Sequence, residues 1–165
     1  MEPTPDELAG VVDLFGALSR TELRRGLAEL AFKRGEEYDP DRFTGTVEAA
    51  VRSYHLVAVS PADAGVVAPT DGEVLLAGPV AFPELPDGAT DLPHILDVPE
   101  RDPDIEGAAT AAAERFRQDA VTAIEKTDHE RVRELLDISY ELETWGGLDL
   151  SATRERMDAE LARDR

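Results

Sequence analysis

Apolar residues recur at three- and four-residue spacing through the first fifty positions, which predicts three amphipathic helices. The first helix begins at a capping box, residues 4–7, and continues to about Leu18. A second capping box at residues 19–22 begins the next helix, which we expect to end at Gly35. Asp39-Pro40 opens the third. Because the second capping box follows Leu18 directly, the chain must turn sharply at Ser19.

After Tyr54 the pattern changes from helical to extended. Residues 55–59 predict a strand, and residues 66–68 and 73–77 flank the turn sequence Asp71-Gly72, which indicates a β-hairpin. Three helices followed by a strand and a hairpin is the element order of a winged helix. We therefore predict a winged-helix-like part over residues 1–77.

The rest of the chain is predicted to be a connector followed by helices. Residues 78–102 carry five prolines, but their interspersed apolar residues predict an ordered segment anchored by residues 91–96. Residues 103–126, then 128–146, then 151 onward follow helical spacing, with Gly146-Gly147 and Ser151 as boundary signals. The predicted fold class is helix-rich α+β, with a helical part at 103–165 packed with the rest as one unit.

Charge composition points to the solvent in which the protein works. The chain has 36 Asp and Glu against 17 Lys and Arg, a net charge of −19 over 165 residues, and only two of its cations are lysines. At molar salt the Debye length falls to about 3 Å, so acidic side chains no longer repel one another strongly. This composition predicts an extreme halophile. The acidic start is no signal peptide and no apolar run suits a membrane helix, so we expect a cytoplasmic protein.

Sequence motifs for catalysis or metal binding are weak. The chain has no cysteine, which excludes thiolate chemistry and cysteine-ligated metals. His55, His94 and His129 lie far apart and lack metal-ligand spacing, and the many carboxylate pairs are expected in so acidic a chain. We therefore assign no catalytic residue, metal or cofactor. An enzyme would need a pocket near His94, Tyr140 and Trp145.

One stretch reverses the acidic trend and is the candidate anion or nucleic-acid contact surface. Residues 20–34 contain five cations and only Glu22 and Glu29 as acids. The cations are Arg20, Arg24, Arg25, Lys33 and Arg34. They would position a phosphate backbone without reading sequence. The competing interpretation, which we favour here, is a solvated helix face with pairs such as Glu29–Lys33.

Four sequence runs resemble a family of small acidic haloarchaeal proteins of unknown function. They are VVDLFGALSRTELRR (11–25), ELAFKRG (29–35), GPVAFP (78–83) and DLPHILDV (91–98). The resemblance implies a halophilic, cytoplasmic protein. Since the family has no established activity, the resemblance assigns no function to any residue. Our first hypothesis is a non-catalytic interaction or regulatory protein that contacts another protein or a second copy of itself. The alternative is a winged-helix transcriptional regulator that binds DNA, although Asp71 and Glu73 at the predicted wing would repel phosphate.

Overall fold

The computed structural model describes residues 1–70 and 72–163 and divides the chain into two compact units, Met1–Asp104 and Ile105–Arg165. The first unit combines helices with a small three-stranded antiparallel sheet whose first strand lies between the first two helices, and the second unit is helical. The predicted α+β class, with N-terminal helices and a hairpin, is confirmed. Asp71, half of the predicted turn dipeptide, lies outside the described residues.

The first unit begins with three helices whose starts follow the sequence signals. Thr4 and Ser19 both form complete capping boxes, and the Asp39 carboxylate accepts the Asp41 and Arg42 backbone N–H groups. Each cap satisfies backbone donors that a helix start otherwise leaves unpaired. The elements in chain order are α1 Pro5–Phe15, β1 Leu18–Ser19, α2 Arg20–Lys33, α3 Pro40–Arg52, β2 Leu56–Val59, α4 Pro61–Ala64, β3 Val74–Ala77, a 3₁₀ turn at Ala89–Asp91, and α5 Leu92–Ile95.

The sheet has the order β1-β3-β2, with both neighbours antiparallel to β3. Leu18 lies opposite Leu75 on one side, and Val57 lies opposite Leu76 on the other. The prediction that residues 66–68 pair with 73–77 is wrong, because β2 takes that place. Gly65 caps α4 in a left-handed conformation, and residues 66–70, which follow it, form no strand.

The junction between α1 and α2 also differs from the prediction. Helix α1 ends at Phe15 rather than near Leu18, because Gly16 adopts a φ of 85°. A Cβ at Gly16 would lie 1.8 Å from the Arg101 carbonyl oxygen, so only glycine fits there. The following two residues form β1, a strand too short for a sequence pattern to reveal.

The core of the first unit takes side chains both from its helices and from the connector predicted over residues 78–102, which we call its proline-rich segment. Phe15, Leu23 and Leu27 are fully buried, and the later Leu92, Leu96 and Val98 join the same apolar cluster. The segment is also held by backbone contacts, since the Glu84 N–H donates to the Asp6 carbonyl. Residues 84–98 therefore pack onto the unit through a few buried side chains, such as Leu92, Leu96 and Val98, while the rest of the segment is largely exposed.

The second unit contains three helices, α6 Ile105–Glu125, α7 His129–Gly146 and α8 Ser151–Ala162. The predicted boundaries are close, but Ser151 lies inside α8 with Leu150 as N-cap, and Gly146 remains helical while Gly147 caps α7. Helices α6 and α7 approach so closely that a Cβ at Gly146 would lie 2.3 Å from the Ala109 Cβ. Helix α8 buries mainly Met157 and Glu160.

Candidate functional site

Helix α2 carries the predicted anion-contact residues along its length. Arg20 begins the helix, Arg24 and Arg25 lie one turn further, Lys33 ends it, and Arg34 is its C-cap. The structure gives these five cations different environments, so they do not act as one free surface.

Arg20 is bound by two carboxylates of its own unit. Its Nε lies 2.6 Å from a Glu48 oxygen on α3, and its Nη1 lies 3.1 Å from a Glu73 oxygen beside β3. Burial by itself would lower the pKa of Arg20, but these hydrogen bonds and charges outweigh it and the pKa is raised. Arg20 thus joins α2, α3 and the sheet, and its charge is neutralised locally.

Lys33 and Arg34 attach the end of α2 to the proline-rich segment. The Lys33 Nζ lies 3.4 Å from an Asp91 carboxylate oxygen, and the Arg34 Nη2 donates to the Asp87 carbonyl at 2.9 Å. Both contacts span more than fifty residues of sequence. These two cations therefore have structural partners within the unit.

Arg24 and Arg25 are exposed, and they differ from the other three cations in forming no side-chain hydrogen bond with a described residue. Neither forms an ion pair with any residue in the ranges 1–70 and 72–163. Arg24 lines a shallow groove between α2 and α3, and Arg25 lines a larger open cleft at the start of α2. Anion contact by the five residues stays a prediction, in which Arg24 and Arg25 are the two without a competing ion pair or side-chain hydrogen bond among the described residues.

A buried ion pair between Glu22 and Arg101 lies beneath that cleft. The Arg101 guanidinium contacts both Glu22 carboxylate oxygens, at 2.7 and 3.0 Å, and each side chain is about 5% exposed. Arg101 also donates to the Ala17 and Val67 carbonyls, each at 2.9 Å. Burial raises the pKa of Glu22, but the hydrogen bonds from Arg101 and Ser19 outweigh burial, so the pKa lies below its ordinary value.

No pattern in the sequence indicates this pair. Glu22 was expected only as the partner of Ser19 in a capping box, and it does fill that role, accepting the Ser19 N–H at 2.9 Å. Arg101 lies between two acids in the connector and 79 residues away from Glu22. Only the tertiary fold brings them together.

The cleft above the pair has a volume of about 460 Å³ and mixed charge. Arg25 and Asp97 line it together with the Glu22–Arg101 pair, and the loop after α4 supplies the apolar part. The loop residues are Val67, Ala68 and Pro69. With two cations balanced by two carboxylates, the cleft has no net attraction for an anion.

The histidines have separate structural settings. The His55 Nδ1 lies 2.6 Å from the Ser53 hydroxyl, His94 is exposed on α5, and the His129 Nε2 lies 3.4 Å from a Glu160 oxygen. Tyr140 and Trp145 lie on α7 of the second unit. In the described part of the chain, no group of three or more histidines or carboxylates is arranged to hold a metal ion.

Several large apolar side chains of the first unit face solvent. Phe32 at the end of α2 is 80% exposed, Phe82 is 83% exposed, and Val67 is 90% exposed. Leu85 and Ile95 are exposed to a smaller extent. Single exposed apolar residues are common on protein surfaces. Aromatic residues, however, are enriched at protein–protein interfaces, so the exposed Phe32 and Phe82 are of the residue type found there.

A search for similar proteins places the chain in a family. None of the helices in the described residues is long and apolar enough to cross a membrane. No curated protein and no solved structure matches the chain. A family model described as a family of unknown function, DUF7109, matches residues 6–162. The match covers nearly the whole sequence, so the chain belongs to the DUF7109 family, whose function is unknown.

Proposed function

We propose that this protein is a non-catalytic interaction protein of an extreme halophile's cytoplasm, and that it acts through protein contacts on a winged-helix scaffold. The scaffold proposal is supported by the order α1, β1, α2, α3, β2, β3 in the first unit, in which only the one-turn helix α4 is inserted, between β2 and β3. It is also supported by the sheet order β1-β3-β2, in which the strand between the first two helices pairs with the last.

The observation that carries the proposal is that two of the five basic residues of α2 and its C-cap, Arg20 and Lys33, are paired with carboxylates. Arg20 is held by Glu48 and Glu73, and Lys33 by Asp91. Affinity for DNA depends mainly on cations that are free to neutralise phosphates. A surface whose cations are already paired with carboxylates retains little of that affinity.

In helix-turn-helix proteins the recognition helix enters the major groove of DNA. Helix α3 would be that element here, and its surface charges are unfavourable for binding DNA. Its exposed Asp41 and Glu48 offset Arg42 and Arg52, and Arg42 is paired with Glu2. The sheet end beside it carries Glu73. Phosphates approaching this face would meet carboxylates, whereas a protein partner could complement them with its own cations.

The exposed aromatic residues supply the apolar side of such a contact. Phe32 and Phe82 can each bury well over 100 Å² on a partner, and aromatic residues dominate interface energies. The proposed partner is another protein or a second copy of this chain. In molar salt an apolar contact is strengthened while charge steering is screened, which suits a protein of net charge −19.

DNA binding remains the second candidate because Arg24 and Arg25 are exposed and form no ion pair among the described residues. Fluorescence anisotropy with mixed-sequence duplexes, over a range of KCl concentrations up to molar, separates the two functions. The informative variant is Arg24→Glu/Arg25→Glu. Arg20 is left intact because changing it would also break the contacts to Glu48 and Glu73. Lys126→Glu/Arg133→Glu makes the same charge change on the second unit.

The interaction proposal predicts no saturable DNA binding by the wild type in molar KCl. It also predicts that self-association in sedimentation velocity, or stoichiometric co-purification of one partner, is lost in Phe32→Ser/Phe82→Ser. Saturable DNA binding that Arg24→Glu/Arg25→Glu abolishes and Lys126→Glu/Arg133→Glu retains would replace it with the regulator.

A further inference from the structure

A groove in the second unit combines two arginines with an apolar floor. Arg117 extends from α6, and Thr153 and Arg156 extend from α8. The floor comes from one face of α6, where residues three to four apart lie side by side. Its residues are Ala120, Val121 and Ile124.

No carboxylate lines this groove, which sets it apart in so acidic a chain. Acids outnumber bases by 36 to 17 overall, and the cleft at the start of α2 follows that rule with two carboxylates beside its two arginines. The α6–α8 groove is lined instead by two arginines and a threonine, with no acidic residue among its lining. Two cationic side chains without a lining carboxylate favour an anion in this groove, and its apolar wall lowers the effective dielectric constant around any bound charge.

Both arginines retain donors for a ligand. Arg117 contacts Glu114 through Nη1 at 3.3 Å, a surface pair in which both side chains are largely exposed. Such pairs contribute little free energy and leave most of the five guanidinium N–H groups unused. Arg156 is exposed and forms no ion pair with a described residue. The Thr153 hydroxyl adds a third polar group at the same place.

From this geometry we propose that the α6–α8 groove binds a phosphate-sized oxyanion, the phosphate group of a phosphate monoester. Arg117 and Arg156 donate charge-assisted hydrogen bonds to its oxygens, and the Thr153 hydroxyl contacts a third oxygen. The groove offers about 60 Å³. One water molecule requires about 10–15 Å³ of such space, so a tetrahedral oxyanion fits and a nucleobase does not.

This site is independent of the proposed protein contacts, because every residue that forms it belongs to the second unit. Calorimetric titration of the full chain with potassium phosphate at neutral pH in molar KCl tests it. We expect saturable binding of one phosphate per chain. In Arg117→Gln/Arg156→Gln the affinity falls by about tenfold or more, since two charge-assisted hydrogen bonds are lost. Both arginines are exposed, so the variant keeps the helical circular dichroism of the wild type.

The matched control is Arg24→Gln/Arg25→Gln, which removes two exposed arginines from the first unit and leaves phosphate affinity unchanged. Arg156→Lys keeps the charge but loses the fork geometry, and it binds with intermediate affinity. Equal phosphate response in all variants would be a general salt effect and would overturn the proposal. Absence of saturable binding by the wild type would overturn it as well.

Discussion

Replacing Arg101 by methionine should destabilise the first unit strongly. The change keeps most of the side-chain length but removes the guanidinium that contacts both Glu22 oxygens. The Glu22 carboxylate would then remain in a site where it is only 6% exposed, with the Ser19 backbone as its remaining partner. The Ala17 and Val67 carbonyls would also lose a donor.

The magnitude follows from the burial of the pair. Removing one partner of a buried ion pair typically costs about 3–5 kcal/mol, because the other charge stays desolvated. That is a large part of the roughly 5–15 kcal/mol that holds a domain folded. For a chain of this length it corresponds to a decrease in melting temperature of roughly 6–20 °C. Since the pair is shielded from solvent, molar KCl should reduce this cost very little.

Guanidinium-induced unfolding followed by circular dichroism measures the effect. Arg25→Met is the control, because Arg25 is exposed and unpaired among the described residues, and it should change the free energy of unfolding by less than about 0.5 kcal/mol. Arg101→Lys keeps the positive charge but loses the two-point contact with the Glu22 carboxylate. Its loss in free energy of unfolding should therefore lie between those of Arg25→Met and Arg101→Met. If Arg101→Met and Arg25→Met cost the same, the assignment of Arg101 as a buried structural cation is refuted.

Two further predictions concern the pH dependence of stability at Glu143 and the effect of replacing glycine by alanine at two helix positions. Hydrogen bonds from Arg154 and the Leu150 N–H lower the pKa of Glu143, so its stabilising contribution is complete above the ordinary value of 4.5 and is lost as the pH falls below it. Unfolding midpoints from pH 7 to about pH 3 should therefore fall less steeply in Glu143→Gln, and parallel curves would contradict this. Gly45→Ala in α3, where a Cβ meets nothing within 4 Å, should stabilise by about 0.5–1 kcal/mol. Gly10→Ala, whose Cβ would lie 2.0 Å from the Glu84 carbonyl oxygen, should destabilise by about 1–3 kcal/mol, and shifts of equal sign in thermal unfolding would refute the packing argument.

Helix positions were predictable because their determinants are local. The caps at Thr4, Ser19 and Asp39 act within three residues of the helix they begin, and the structure contains each of them. The sheet depends on distant partners instead. Residues 66–68 and residues 56–59 have equally strand-like sequences. Only the second segment forms a strand beside β3, because it pairs with β3 across the segment that contains α4. The two-residue β1 has no periodicity to detect.

The candidate anion-contact surface on α2 shows the same contrast between local sequence and distant partners, here for charged residues. A local count over residues 20–34 gives an excess of cations, but the acids that neutralise Arg20 and Lys33 lie 28 to 58 residues away in sequence. With two acids for every base, most cations can find a carboxylate once the chain folds. Exposed arginines that stay unpaired among the described residues are therefore more informative than a basic run. Arg24, Arg25 and Arg156 meet that condition, as does Arg133, one of the control positions in the DNA-binding test. They are the residues where substitution separates binding from folding.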